Sequence, residues 1–447
     1  MNPGLRWHAV ALSLIALSIG SFVARAQTAK DPAVKSDETL SLPPTPAAQG
    51  TSLKLDLGQG LESRLAGGLS FTGMYTDNVF LTATNHQSDM SYDIQPYISW
   101  QEFTSRLSLD LSGGAGFVVN QRFSERNQAA ENFSVNLTSR LRQYVTLRLD
   151  NSFVNTTGLF SGTGSASDQS GIGIVQQANS TLITPASHIL TNTSLAELNY
   201  QFSSSSNIGV RGVASILRYP DGAQSVSNVP LYEGESYAAE AFYNHQLTTR
   251  QWTGVTLRWQ RFDSQSSLVT TDADSVLFFY SIQPTSAINI SLFAGPQLTT
   301  SHVAPSLAST IPPFNPRSWT PATGATLAWQ KSHTSAHLSY IREANDGGGL
   351  LSAVINETVQ AGLRQQLSQR QQVTFAFTYA DNQTLVPGVT LRGFSGQGEF
   401  SRRLTASLSA GLGYRFEQQG QPGVTAPGRA SRGWFSFSYE LSRPLGH

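Results

Sequence analysis

Beyond Leu61, apolar and polar residues alternate with a period of two along nearly the whole chain, and this alternation restricts the fold more than any other property. "RGWFSFSYEL", near the C-terminus, sets Phe435, Phe437, Tyr439 and Leu441 against Ser436, Ser438 and Glu440. On an extended backbone these two sets fall on opposite faces. "RLSLDLSGGAGFVV" repeats the arrangement, with Leu107, Leu109, Leu111, Ala115, Phe117 and Val119 opposite Ser108, Asp110 and Ser112. "FSVNLTSRL", "VTLRLDNSF", "VTLRWQRF", "VTFAFTY" and "SLSAGLGYRF" follow suit. A helix would show a period near 3.6, so the chain reads as strands whose two faces meet different environments.

Composition helps to decide which environment meets the apolar face. Only 13% of residues are charged, against about 25% in soluble domains, so much of the outer surface does not face water. The 29 basic and 29 acidic residues cancel, which leaves no basic field to recruit nucleic acid. Mean hydropathy is −0.19, too low for a bundle of membrane helices. The polar faces are rich in Ser, Thr, Gly, Asn and Gln and carry scattered charges of both signs, as a wet lumen would. Cysteine is absent, which excludes disulfides, thiolate metal sites and a lipid-modified N-terminal cysteine.

About eighteen strands can be counted, with starts near residues 64, 91, 106, 131, 145, 188, 208, 235, 252, 274, 288, 319, 335, 351, 372, 389, 406 and 432. Tight connections such as "EFTSR", "TTRQ" and "SQRQQ" interleave with longer Gly-, Ser-, Asn- and Pro-rich ones, the longest at 156–187 and 299–318. This asymmetry predicts an all-β fold: one closed antiparallel transmembrane β-barrel of 16–18 strands, with short periplasmic turns and long extracellular loops, in the outer membrane. Aromatic residues including Tyr219, Trp252, Trp329 and Trp434 fall near strand ends, where rings settle at headgroup level. Pro96 lacks the ladder donor and predicts a bulge in its strand. "GQGEF" reads as a second kink.

Ahead of the barrel, residues 1–26 read as an export signal. Arg6 lies in a short basic region, "AVALSLIALSIGSFV" forms the apolar core, and Ala24-Arg25-Ala26 precedes the cut. The apolar run of about 15 residues is short of the roughly 20 that a spanning helix needs. Residues 27–60 are rich in Pro, Ser, Thr and Ala and read as a disordered periplasmic leader. Within it "SLKLDL" has the alternation of a short docking strand. The barrel occupies 61–447.

Chemistry is sparse. His333 and His337 make an H-x3-H that flanks a tight turn rather than riding a helix, and no nucleophile motif accompanies any histidine. The chain therefore reads as neither an enzyme nor a metalloprotein, and no cofactor is implied. The residues with a physical role are lumen charges. Arg148, Arg211, Arg258 and Arg415 face carboxylates including Asp150 and Glu240, an arrangement expected to set a transverse field that orients polar solutes. "GMYTDNVF" (73–80) is expected to fix the first outer loop through Asp77 and Asn78.

The early "YTDNVF" and the closing "SRPLG" together resemble outer-membrane β-barrel proteins associated with exopolysaccharide export in Gram-negative bacteria, of acidobacterial type in particular. The resemblance implies an outer-membrane conduit and carries over no catalytic residues. The expected partners are outer-membrane lipid and lipopolysaccharide, a polar solute or polysaccharide, and a periplasmic export partner, with no nucleic acid. The leading expectation is a porin-like channel. The other is a structural or adhesive barrel whose lumen is occluded by the 156–187 or 299–318 loops.

Overall fold

The computed structural model describes residues 63–157, 183, 187–221, 225–226, 229–264, 268–305, 316–350, 353–386, 389–423 and 426–444. The expected signal, leader and most of the two longest loops lie outside these residues.

Eighteen long strands form the wall. The first six are β1 (Arg64–Thr76), β2 (Asp89–Phe103), β3 (Leu107–Asn120), β4 (Gln128–Arg142), β5 (Val145–Thr157) and β6 (His188–Ser203). Next come β7 (Ser206–Arg218), β8 (Gly234–Thr248), β9 (Gln251–Ser264), β10 (Val269–Thr285), β11 (Ile288–Val303) and β12 (Arg317–Lys331). The circuit ends with β13 (Thr334–Asn345), β14 (Val354–Ser368), β15 (Gln371–Thr384), β16 (Thr390–Arg403), β17 (Leu408–Gly420) and β18 (Gly428–Pro444). Each strand pairs antiparallel with its sequence neighbours, and β1 also pairs with β18, Phe71 opposite Phe437. Closure removes every sheet edge.

The alternation assigns the two faces. Phe117, Phe278 and Leu412 are 66%, 60% and 64% exposed, whereas Val118, Leu277 and Gly413, one residue away, are buried. The buried set includes polar and charged side chains that bond to residues several strands distant, which only the interior allows. The apolar belt therefore faces outward, to lipid. A large closed barrel with such a belt, tight turns at one end and long connections at the other is the architecture of the outer membrane. Tyr219, Trp252 and Trp434 depart from the expected girdle: they turn inward and are 3%, 8% and 3% exposed.

Proline interrupts the ladder where its missing donor requires. Between β2 and β3 the pairing stops at Ile94–Phe117 and resumes at Tyr97–Gly114, around Pro96, in unchanged register, so the expected bulge does not form; the missing donor removes ladder bonds without adding a residue. A second interruption, not foreseen, lies between β10 and β11 around Pro296, with pairs Phe278–Ala294 and Ser275–Gln297 on either side. "GQGEF", by contrast, stays in continuous register with both neighbours of β16. Its glycines weaken the strand without bending it.

Candidate functional site

The inner wall carries a row of charge. Arg148 on β5 is the register partner of Glu197 on β6, Glu197 of Arg211 on β7, Arg211 of Glu240 on β8, and Glu240 of Arg258 on β9. Signs alternate on five adjacent strands, and from Glu197 to Arg258 each head group reaches the next. Arg211 Nη2 lies 2.5 Å from Glu197 Oε2 and Arg211 Nη1 3.2 Å from Glu240 Oε2, while Arg258 Nε lies 2.7 Å from Glu240 Oε1. Arg148 also holds Asp150 at 2.7 Å. Opposite charges in direct cross-strand contact stabilise a sheet. Here they are also shielded from water, so each carboxylate depends on its guanidinium.

The row ends on an element four strands further along the wall. The outer end of β13 leaves β12 after the Thr323–Arg342 pair and stays with β14 alone to Asn345–Val354. It leans inward over β9–β11. Glu343 Oε2 accepts from Arg258 Nη1 at 2.9 Å, and the Ala344 amide donates to Gln297 Oε1 at 2.8 Å. Beyond it, Tyr232 N donates to Gly349 O at 2.6 Å and Tyr219 Oη to Gly348 O at 3.3 Å. Burial, and then the charge of Asp346, push the Tyr219 hydroxyl above its usual range, so it stays protonated and able to donate. Leu217, Tyr219, Leu231, Leu350, Val354 and Leu391 close into one apolar cluster. Strands β7 and β14–β16, far apart around the circuit, are thereby clamped together across the outer mouth.

Rings seal the wall below the row. Phe242, Phe279 and Phe293 lie against Gly209, Gly254 and Gly324 of the adjoining strands, where an added Cβ would come within 2.0–2.3 Å of a ring atom. Arg211 also stacks over Phe242, 5.7 Å from its centroid. The inner residues of β10, from Val269 to Ser281, are therefore almost fully buried. The inner residues of β3, β14, β15 and β16 stay partly exposed through most of their length. The lumen thus has a packed arc at β7–β11 and a wet arc running from β14 through β18 to β5.

A second ionic cluster lies on the wet arc near the mouth. Glu417 holds Arg432 at 2.6 Å and Arg415 at 3.4 Å, and Arg415 Nε donates to Gln397 Oε1 at 2.9 Å. Next to it the first outer loop turns inward. Asn78, fully buried, donates to the carbonyls of Thr82 and Arg429 at 2.7 and 2.8 Å, and its Oδ1 accepts from the Thr82 amide at 3.2 Å. Asp77 accepts from Ser431 N at 2.7 Å. Asp77 and Asn78 hold the loop to β18, which is the role their motif suggested. Asn78→Ala is expected to cost about 1–3 kcal/mol, read as lost hydrogen-exchange protection at the Thr82 amide. Unchanged protection there would refute this role for Asn78.

Arg148, Asp150, Arg211, Glu240 and Arg258 thus come together on one wall as lateral neighbours, rather than as bases opposed to acids across the lumen. Arg415 stands apart, on β17. The lumen charges read from the sequence leave out Glu197, Glu343, Glu417 and Arg432 as members of these clusters. Register arithmetic could have found Glu197 and Arg432. Glu343 had no such signal, because nothing local announces that β13 bends inward. Of the two long loops expected to occlude the lumen, only the ends and Ile183 are described; the Ile183 amide donates to Gln419 Oε1 at 2.8 Å. His333 and His337 do flank a tight turn, and the His337 ring lies on Gly362.

No family model and no curated protein matches the chain. Among solved structures, it is similar to Acinetobacter baumannii OccAB4 (7% identity, TM-score 0.45, covering 86% of this chain and 99% of that one). It is also similar to Pseudomonas aeruginosa OccK2 (OpdF) in complex with glucuronate (9%, 0.46, 85% and 98%). A third is Pseudomonas aeruginosa OpdK with vanillate (8%, 0.40, 85% and 99%).

Proposed function

We propose that this barrel is an outer-membrane channel for small polar solutes, with its passage along the wet arc. The division of the inner wall carries this reading. A closed barrel of eighteen strands is wide enough to enclose water, but here one side is packed along its length and clamped at the mouth by residues 343–350. What stays open is narrow, off-centre and lined by Ser, Thr, Asn, Gln and paired charges. Arg148 and Arg415, each partly accessible on that side, bring fixed charge to the passage. Arg211, Glu240 and Arg258 act through the wall, by holding the constriction in place.

A narrow passage suits monomeric solutes better than a polymer. The resemblance to exopolysaccharide-export barrels, with its periplasmic partner, gains no support from the inner wall. The outer belt would be covered by outer-membrane lipid and, on the outer leaflet, by lipopolysaccharide. Planar-bilayer recording should give a steady conductance below that of an unobstructed barrel of equal strand number. Liposomes carrying the protein should swell in monosaccharide and far more slowly in longer oligosaccharides. Absence of current through folded protein would refute the channel; equal swelling in both sugars would refute the constriction.

A further inference from the structure

Most inward-facing charges of this barrel are engaged by a neighbour. Arg148, Arg211, Arg258, Arg415 and Arg432 are ion-paired, and Glu440 accepts from Tyr97 at 3.2 Å. On the wet arc some are not, Asp93 among them, and two of these share a row. Arg364 on β14 and Glu399 on β16 make no hydrogen bond or ion pair with any described residue, yet they share one row: Arg364 is the register partner of Thr374 on β15, and Thr374 of Glu399. All three point inward and are partly exposed.

Two strand spacings separate Arg364 from Glu399, about 10 Å between backbones. The two head groups make no ion pair with each other; Arg364 has no other charged partner among the described residues, and Glu399 feels the charge of Arg415 on the next strand. Thr374 lies between them; its hydroxyl accepts from Gln372 Nε2 at 3.3 Å and keeps its own proton to donate. Small inner residues flank the row, Gly362 and Ala376 one inward step above Arg364 and Thr374, and Gly411 and Gly413 beside Glu399 on β17; the His337 ring lies over Gly362 and the Trp434 ring over Gly413. A guanidinium, a hydroxyl and a carboxylate therefore stand in line, with the His337 ring at one end of the row and the Trp434 ring at the other.

We infer that Arg364, Thr374 and Glu399 form a binding site for a small zwitterion of the α-amino acid type. The carboxylate of the solute takes the guanidinium by a charge-assisted, bidentate contact. Its ammonium group takes Glu399, and the Thr374 hydroxyl donates to the carboxylate. An anion alone would satisfy Arg364 and leave Glu399 beside a like charge; a cation alone would do the reverse. Only a solute with both charges a few ångströms apart satisfies the row.

This site rests on the channel reading for its purpose but not for its test. Saturation-transfer NMR on the detergent-folded barrel, with glycine, acetate and methylammonium as probes, reads occupancy whether or not the lumen conducts. Glycine should give a signal at least fivefold above either singly charged probe. Arg364→Gln and Glu399→Gln should each abolish most of it, and the exchanged double variant Arg364→Glu with Glu399→Arg should restore it. Heat-modifiable migration on gels confirms that each variant is folded. Equal signals from the three probes, or glycine binding that survives both single substitutions, would overturn the site. Loss of conductance with the glycine signal intact would overturn the channel alone.

Discussion

Arg258→Met is expected to lower the free energy of unfolding by about 3–5 kcal/mol, the cost of stranding a buried carboxylate, and to make the single-channel current unsteady. Methionine keeps the length and most of the volume of the arginine stem, so the cavity penalty is small. What disappears is the charge on which two carboxylates depend, Glu240 on the wall and Glu343 on the inward-leaning end of β13. Both are largely shielded from water, with side chains 7% and 13% exposed. Glu240 keeps Arg211 at 3.2 Å, and Glu343 loses its 2.9 Å contact with Arg258. Glu343→Gln should cost less, about 1–3 kcal/mol, because the amide oxygen still accepts from Arg258. Residues 343–350 would then be held mainly by the apolar clamp around Tyr219 and Leu350. Denaturant titration of the folded barrel and bilayer recordings test both variants. Equal stability of Arg258→Met and the native chain would show that the row is too hydrated to matter.

The fold was legible because its governing signal is local and repeated. Each strand carries its own alternation, and each tight turn its own polar punctuation. The eighteen expected starts track the observed strands; the largest offset is Asp274 against Val269. Pro96 announced the gap in pairing, since a missing amide acts wherever the strand is paired, but not its form, because the register continues across it without a bulge. Pro296 went unread because "FAGPQL" could equally mark a strand end. The orientation of the charges was legible for the same reason: Arg211 and Glu240 fall on the polar face of their strands.

The partners of those charges were harder to read. Opposition across a lumen is the natural guess when register is unknown. Pairing Glu197, Arg211, Glu240 and Arg258 as lateral neighbours requires knowing the offset of four strands at once. A shift of one residue on any of them would turn a charge outward. The inward lean of β13 and the cluster of Leu217, Leu231, Leu350 and Leu391 are tertiary facts. They join segments more than a hundred residues apart, and a leucine near the end of a strand looks the same whether it faces lipid or a folded-in loop. Tyr219, Trp252 and Trp434 were read as girdle rings for that reason. A strand-end aromatic states that it wants an apolar body and a polar tip satisfied, without saying on which side of the wall.

Gly295→Ala is expected to prevent stable closure of the barrel, or to cost at least the 1–3 kcal/mol of an overpacked core. Gly396→Ala should change stability by no more than about 1 kcal/mol in either direction. Both glycines lie inside strands, so propensity alone would favour alanine at both. They differ in what a Cβ would meet. At Gly295 it would lie 1.8 Å from the carbonyl oxygen of Val276, 2.8 Å from its carbon and 3.0 Å from Leu277 Cα; at Gly396 nothing lies within 4 Å. The obstruction at Gly295 is all backbone, so no rotamer change relieves it. Relief requires β10 and β11 to separate where Pro296 has already interrupted the ladder. On the inner side of this seam, Phe279 and Phe293 cover Gly254 and Gly324, so parting the strands would also unseat the rings that pack this arc. Folding yield by heat-modifiable migration, followed by denaturant midpoints for whatever folds, separates the two variants. Similar midpoints would mean that the two strands tolerate a wider spacing at Pro296 than their close approach implies.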